Sequence, residues 1–348
     1  MEPGWSEILD RINARAAVGA RWHEPTGARI VDRDDNADAV EVCIRTLEQA
    51  TALGHIARYT FGSPDYTVDL LAQRAEGPDD ALLNDVNEAG RNLYDYMLRF
   101  NDELSGLRTG ALIRFFLSAE LGTVHWYEVT DAQHLIAVSF APSAESSRTV
   151  PADRIAIDQE VTRLANRLRR SLSQQPVDYG GWLAAESKPD DPPPPVAATG
   201  TGTGRVDPHV AGRLAPVAAR CAEALDLSAL HYAAVYHRDE QVAAADILGH
   251  PGLHRFDFGT NPEFRRAGYG RLGPRLGEYA RDLTAMLYRV SGRRITYFVL
   301  DVARGAVFFH RLRPRTHLVA VTLDQDRVVE AEREVLALAG RLADQWTT

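Results

Sequence analysis

The stretch TVHWYEVTDAQHLIAVSF (residues 123–140) returns later in the chain as AVFFHRLRPRTHLVAVTL (residues 306–323). Both lie in longer segments, 111–140 and 294–323, which align without a gap at a shift of 183 positions. Eight of these thirty positions are identical, and seven others exchange one apolar residue for another. Self-similarity at a fixed spacing indicates a repeated structural unit. The chain is therefore interpreted as a tandem duplication.

The repeated segment is typical of β-structure. ALIRFFLSA, VHWYEV and HLIAVSF are rich in β-branched and aromatic residues and are separated by turns that contain Gly or Asp. Such runs predict strands. Upstream, HIARYTF with YTVDLLAQ, and in the second copy HYAAVYH with QVAAADIL, each predict a hairpin.

Helices are predicted around these strands. Apolar residues at helical spacing predict a long helix in each copy, at Leu93, Met97, Phe100 and Leu104 and at Leu276, Ala280, Leu283 and Leu287. A shift of 174 aligns the final helices of the two copies, and a cysteine-containing helix precedes each hairpin. The order helix, two strands, long helix, three strands, helix predicts an α+β domain: a five-stranded antiparallel sheet with flanking helices.

A linker separates the two copies. WLAAESKPDDPPPPVAATGTGTGR (182–205) contains four consecutive prolines and then alternating Gly and Thr, a composition that builds no core. We therefore predict one domain at 37–181, a second at 206–348, and an N-terminal extension at 1–36. The extension is expected to be helical, because Trp5, Ile8, Leu9 and Ile12 share one helical face, and to cover a sheet edge or a helix groove.

The element order resembles the roadblock/longin-like superfamily, in its bacterial roadblock (dynein-light-chain-like) branch. LHYAAVYHRDEQVAAADILG is similar to that family's first hairpin, and ITYFVLDVARGAVFFHRLRPRTHLVAVTL to its three-strand meander. The resemblance covers about residues 205–348 well and 36–172 more loosely.

The resemblance has consequences for fold and function. It implies an intramolecular pseudo-dimer in which strands 111–118 and 294–302 pair, through Phe115, Leu117, Phe298 and Leu300. Covalent linkage raises the effective concentration of the two copies. The resemblance also implies that the chain is a platform or regulator for small Ras-like GTPases and performs no chemistry of its own.

Catalytic signatures are absent from the sequence. Lys188, the chain's only lysine, lies in the linker, so neither a phosphate-binding loop nor a Schiff base is expected. Gly268, Gly270 and Gly273 match G-x-G-x-x-G outside the β-α-β context that motif needs, and are interpreted as a flexible entry into the long helix. His250 and His254 lack a third metal ligand. We therefore predict no enzyme, no cofactor and no metal site.

Charge and composition limit the partners and the compartment. Residues 1–185 carry a formal charge of −10, and residues 205–348 carry +3. An acidic first half argues against nucleic acid, whose phosphates require basic residues. No apolar run approaches the roughly 20 residues of a membrane span. Cys43 and Cys221 have no disulfide framework, and the start of the chain is not a signal peptide, so a cytoplasmic location is expected.

The turn before the last strand of each copy differs in charge. EVTDAQ carries Glu128 and Asp131, whereas RLRPRT carries Arg311, Arg313 and Arg315. Asymmetric docking of a partner is one interpretation, since arginine recognises carboxylates and phosphates. Solvated turns, or attraction between the two turns, are the alternatives. Candidate partner-binding residues are these five and the long-helix tyrosines Tyr94 and Tyr279, since exposed tyrosines mark interfaces.

Two other classes of function stay open. A pair of profilin-like sensor domains would hold a small molecule in a pocket lined by His231, Tyr232 or Tyr236. A chaperone or immunity-type protein would mask one client through the acidic residues 1–185. We expect a non-enzymatic adaptor for a protein partner, most simply a small Ras-like GTPase.

Overall fold

A computed structural model describes most of the chain. The described residues are 20–23, 28–32, 36–50, 52–70, 80–120, 122–140, 152–183, 205–206, 214–257, 259–292 and 294–345.

The first half of the chain contains seven strands and three helices among these residues. In chain order they are β1 (Ala20–His23), β2 (Ala28–Asp32), α1 (Ala37–Gln49), β3 (Leu53–Thr60), β4 (Ser63–Asp69), α2 (Asp80–Ser105), β5 (Leu112–Ala119), β6 (Gly122–Thr130), β7 (Gln133–Phe140) and α3 (Ala152–Ser171).

The second half repeats this order and confirms the predicted succession of elements. It contains β8 (Arg205–Val206), α4 (Ala215–Glu223), β9 (Tyr232–His237), β10 (Glu240–Asp246), α5 (Pro262–Met286), α6 (Tyr288–Ser291), β11 (Ile295–Val302), β12 (Gly305–Arg313), β13 (Thr316–Thr322) and α7 (Val328–Gln345).

The chain divides into two compact units. Unit 1 comprises residues 1–95, 121–176 and 289–291, and unit 2 comprises residues 96–120, 177–288 and 292–348. The boundary falls inside α2, and β5 belongs to unit 2. The domain limits drawn from the sequence at 181 and 206 stay a prediction.

In unit 1 the strands follow the order β1-β2-β4-β3-β7-β6, and neighbouring strands are antiparallel. β2 covers the outer edge of β4, with Arg29 opposite Asp69 and Asp32 opposite Tyr66. The extension therefore covers a sheet edge, as predicted, but its described part is a hairpin rather than a helix. Backbone groups along an open strand edge need partners, and a strand supplies them. The helix expected around Trp5 falls outside the described residues.

In unit 2 the order is β5-β11-β12-β13-β9-β10-β8, again with antiparallel neighbours. Strand β5 pairs with β11 in a register that sets Leu117 opposite Phe298 and Phe115 opposite Leu300. β8 extends the sheet beyond the five strands expected from the sequence, as β1 and β2 do in unit 1. The extra strands come from segments whose sequence carries little strand signal.

The sheet of unit 2 is buried on both faces. Tyr297, Val299 and Phe308 lie in one apolar cluster with residues of α4 and α7 such as Cys221 and Leu338. Successive side chains of a strand point to opposite faces. On the other face, the alternate strand residues Phe115, Phe298 and Phe309 form an aromatic cluster with Phe100 of α2, and each of the four is at most 1% exposed.

In unit 1, a polar network lies between β6 and α3, at the place that corresponds to the apolar helix–sheet contact of unit 2. The Thr123 hydroxyl lies 2.6 Å from Ser139 Oγ and 2.8 Å from His125 Nε2. Tyr127 donates a hydrogen bond of 2.7 Å to Asp158 Oδ1. All five side chains are buried. Ala306 and Phe308 occupy the positions of Thr123 and His125 in the second copy, so the two copies stabilise the same helix–sheet contact by different means.

The segment that enters the linker is part of unit 2. Gly180 donates its amide to Asp301 Oδ2 at 2.6 Å, and Arg114 Nε lies 3.1 Å from the same oxygen. Burial raises the pKa of Asp301 to about 6. Trp182, assigned to the linker from the sequence, is 5% exposed, and Tyr179 is fully buried. Most of the proline-rich linker lies outside the described residues.

Glycines allow close contacts with α5. Gly268, Gly270 and Gly273 lie inside this helix, which begins after Asn261, whose side chain caps it. The flexible entry expected from the sequence is therefore wrong. A Cβ at Gly273 would stand 2.0 Å from the Tyr236 ring. A Cβ added at Gly90 of α2 would likewise lie 2.1 Å from the hydroxyl oxygen of Tyr59.

The close contact at Gly273 predicts the effect of an added methyl group. We expect Gly273→Ala to lower the free energy of unfolding by about 1–3 kcal/mol, because Tyr236 is buried and cannot move aside. Gly340→Ala is the matched control: it lies within α7 with no atom within 4 Å of its added Cβ. There a gain of about 0.5–1 kcal/mol is expected from helix propensity. Denaturant unfolding measures the free energy of unfolding of both variants, and equal changes would contradict the close packing of Tyr236 against Gly273.

Candidate interaction surfaces

His317 is a structural residue beneath α5. Its Nε2 lies 3.0 Å from the carbonyl oxygen of Gly273, so this nitrogen donates the hydrogen bond. Its ring stacks against Tyr236 and Phe309 at centroid distances of 5.2 and 5.0 Å. His134 and His317 occupy equivalent sequence positions at the start of the last strand of each copy, which predicts a shared structural role, such as a side-chain bond to the preceding turn. The partner is instead the long helix.

His134 takes the equivalent place in unit 1. It stacks between Tyr59 and Tyr94, at centroid distances of 5.4 and 5.1 Å. Tyr94, a candidate partner-binding residue, therefore uses one ring face inside its own unit and is half-buried. Burial lowers the pKa of His134 and of His317 to about 4. Both rings are neutral at pH 7.

The three arginines of the basic turn have different surroundings. Arg311 donates to the backbone oxygen of Ile295 at 2.9 Å, and burial lowers its pKa. Arg313 Nη2 lies 3.4 Å from the oxygen of Ala343 in the last turn of α7, where a cation is favoured. Arg315, at a positive φ of 59°, is exposed at the tip. They do not converge as one anion-binding cluster.

The acidic turn lies beside a residue that sequence reasoning missed. Asp131 is exposed and Glu128 is half-buried, with its pKa raised by burial and by Asp131. Phe61, in the adjoining β3–β4 turn, donates its amide to the oxygen of Ala132 at 3.0 Å. Its side chain is 70% exposed. The FGSP sequence indicated a turn, but no periodic pattern marked Phe61 as exposed.

A pair of helices forms a surface in unit 2. Phe100 of α2 packs edge-on against Tyr279 of α5 at a centroid distance of 4.7 Å. Arg275 of α5 pairs with Glu103 of α2 at 2.5 Å. Tyr279, predicted as a partner-binding residue, is only 7% exposed because it fills this contact. Leu98 of α2 is 49% exposed.

A cleft of about 330 Å³ opens between the same helices. It is lined by Asp102, Glu103, Gly106, Leu107, Gly268, Arg271 and Leu272. Acidic residues of α2 thus face an arginine of α5 across it. The lining is mostly polar, unlike the apolar pockets that usually hold small molecules.

The pocket expected for a sensor domain is filled. His231 and Tyr236 are fully buried, and Tyr232 is 2% exposed. Tyr232 packs on Tyr269 at a centroid distance of 5.2 Å, and its hydroxyl lies 3.4 Å from that of Tyr236. Side chains occupy the space between sheet and helix, which counts against a ligand at this place.

Other chemical features are limited in the described ranges. These residues contain no group of three His, Cys, Asp or Glu side chains placed to hold a metal ion. Cys43 and Cys221 are buried, and burial raises the pKa of each thiol to about 12. In the same part of the chain no helix combines the length and apolar character that a membrane crossing requires.

Comparisons with known proteins return little. No family model matches the chain, and no curated protein matches it. Among solved structures, part of the chain is similar to "MglB with tetrameric arrangement", with 15% sequence identity and a TM-score of 0.30. This likeness covers 38% of the present chain and 86% of that one. At that TM-score it shows neither a shared family nor a shared function.

The burial of His317 predicts a pH-dependent stability. Its folded pKa of about 4 lies below the ordinary value of 6.5, so its contribution is complete above pH 6.5 and is lost as the pH falls towards 4. His317→Phe keeps an aromatic ring without the titrating group. As the pH falls from 7 to 4, we expect the wild type to lose up to about 3 kcal/mol more of its free energy of unfolding than this variant loses.

Denaturant unfolding at several pH values measures this difference. The exposed His254, changed to Gln, is the matched control and should give a curve parallel to that of the wild type. A parallel curve for His317→Phe would mean that the imidazole is accessible to protons in the folded chain.

Proposed function

We propose that this chain is a non-enzymatic adaptor that binds a protein partner, a small Ras-like GTPase. The observation that carries the proposal is the two-helix surface of unit 2, defined by Leu98, Arg99 and Asp102 of α2 and Arg271 and Arg275 of α5. These residues are exposed on helices whose contact is fixed by Phe100 and Tyr279.

This surface has the composition of a protein interface. Leu98 offers an exposed apolar anchor, and the surrounding side chains carry both signs of charge. Interfaces combine an apolar centre with a polar rim, and a few anchors contribute most of the binding energy. A rigid pair of helices also loses little conformational entropy on binding.

The class of partner follows from the family that the sequence resembles, whose members serve as platforms for small GTPases. The pairing of β5 with β11 supports a second part of the proposal, that the two copies pack as an intramolecular pseudo-dimer. In that arrangement one chain presents both halves of the platform, and one chain binds one GTPase molecule.

Two other functions differ from this one in what they require. A small-molecule sensor needs a pocket, and the filled space around Tyr236 does not provide it there. A chaperone or immunity-type protein would bind its client through residues 1–185 alone, whatever nucleotide is present. The adaptor function requires the two-helix surface and both copies.

The first experiment identifies the partner and then measures it. The full-length chain is used to capture proteins from its native lysate in parallel with GDP and with a non-hydrolysable GTP analogue. A Ras-like GTPase enriched in one nucleotide state is the expected result. The purified GTPase is then titrated by calorimetry against the wild type and Leu98→Arg. We expect this variant to weaken binding at least about tenfold.

Phe264→Arg is the matched control. Phe264 is also an exposed apolar residue, 40% exposed, but it lies in the first turn of α5, outside the two-helix surface. It should leave the affinity unchanged. Equal capture of one client with either nucleotide would support the chaperone function, and capture of no protein would direct the search to a small-molecule ligand. Either result would overturn the adaptor proposal.

A further inference from the structure

The β3–β4 turn of unit 1 exposes an aromatic ring on a strained backbone. Phe61 has a φ of +48° and Gly62 a φ of +75°. A left-handed conformation is unfavourable for a bulky residue and is retained where the surroundings or a function require it. Tyr94 packs under Gly62, where an added Cβ would lie 3.2 Å from its ring. The turn is therefore held in place while its phenyl ring remains in solvent.

Acidic residues lie in the turn next to Phe61. Asp131 is exposed and Glu128 half-buried in the neighbouring turn, to which Phe61 is hydrogen-bonded. We call Phe61, Glu128 and Asp131 the acidic tip. Asp65 is already bound by Arg58 at 2.9 Å. Arg169, the basic group that acts on Glu128, donates to the oxygen of Val129 at the base of the turn.

The equivalent turns of unit 2 have the opposite character. Arg238 holds the position of Phe61, with a φ of +51°, and donates its amide to the oxygen of Arg315 at 2.8 Å. We call Arg238 and Arg315 the basic tip. Asp239, the acidic residue of this turn, pairs with Arg281 at 3.1 Å. The guanidinium groups of Arg238 and Arg315 are exposed to solvent.

We propose that the acidic tip is a docking surface for the basic tip of a second copy of this chain. The two surfaces are complementary in charge, and every chain carries both. An exposed phenyl ring binds a guanidinium through cation–π contact. Asp131 supplies an exposed carboxylate for bidentate pairing with arginine.

The proposed contact is head-to-tail. Different surfaces meet, so each association leaves one acidic and one basic tip available for further copies. The contact consists of exposed charges and one ring, and its strength is therefore modest and falls with salt. It is independent of the two-helix surface, so its failure and the failure of the proposed function are distinguishable.

Sedimentation velocity on the full-length chain tests the proposal. We expect the weight-average sedimentation coefficient of the wild type to rise with concentration at about 50 mM salt and to rise less at about 500 mM. Phe61→Arg places at the acidic tip the residue that already occupies the same backbone conformation in unit 2. It should weaken self-association at least about tenfold.

A pair of charge reversals tests the head-to-tail geometry. Asp131→Arg disables the acidic tip only, and Arg315→Asp disables the basic tip only. Each variant alone should remain monomeric. When the two are mixed, the intact basic tip of the first binds the intact acidic tip of the second, and we expect the mixture to associate although neither variant does so alone.

Controls exclude loss of folding and non-specific association. Phe264→Arg also replaces an exposed phenylalanine by arginine, outside both tips, and it should self-associate like the wild type. Circular dichroism and thermal unfolding confirm that each variant folds. A wild type that stays monomeric at every concentration and salt would overturn the proposal. So would single variants that still associate, or a mixture that forms no dimer.

Discussion

Strands β5 and β11 come from different copies of the repeat and yet form one antiparallel pair. Arg114 and Asp301, which face each other across it, are 187 residues apart in the chain. The pair places Phe115 and Phe298 in contact, and Phe100 and Phe309 complete the cluster. Burying each ring contributes about 1.5–3 kcal/mol. The contact of α2 with α5, and hence the two-helix surface, depends on this cluster.

The two copies of the sequence repeat differ around a shared framework. Positions that set the framework are equivalent in both: a tyrosine over a helical glycine, with a histidine beside it, as in Tyr59–Gly90 and Tyr236–Gly273. At other positions the two copies differ in the character of their side chains. Unit 1 buries hydroxyl, imidazole and carboxylate groups between β6 and α3, where unit 2 buries apolar side chains. At the turns, acidic and aromatic character in one copy replaces basic character in the other.

The element order was predictable because each strand and helix carries its own periodic signal, reinforced by the second copy. The β1–β2 hairpin was not, since its strands are short and gain stability by pairing with β4. The role of Gly273 in α5 depends on Tyr236, 37 positions earlier in the printed sequence, so helix propensity alone indicated a flexible segment. Tyr279 was predicted at a surface, but it is buried because α2 packs across it. The exposure of Phe61 depends on turn geometry, which its sequence indicates without showing where the side chain points.

The most direct test of the β5–β11 pairing is the measurement of amide–amide nuclear Overhauser effects in the perdeuterated full-length protein. The structure predicts cross-strand effects around the pairs Leu117–Phe298 and Phe115–Leu300, on amides protected from solvent exchange. Absence of these effects, together with rapid exchange of the β5 amides, would contradict the pairing and with it the two-helix surface that depends on it.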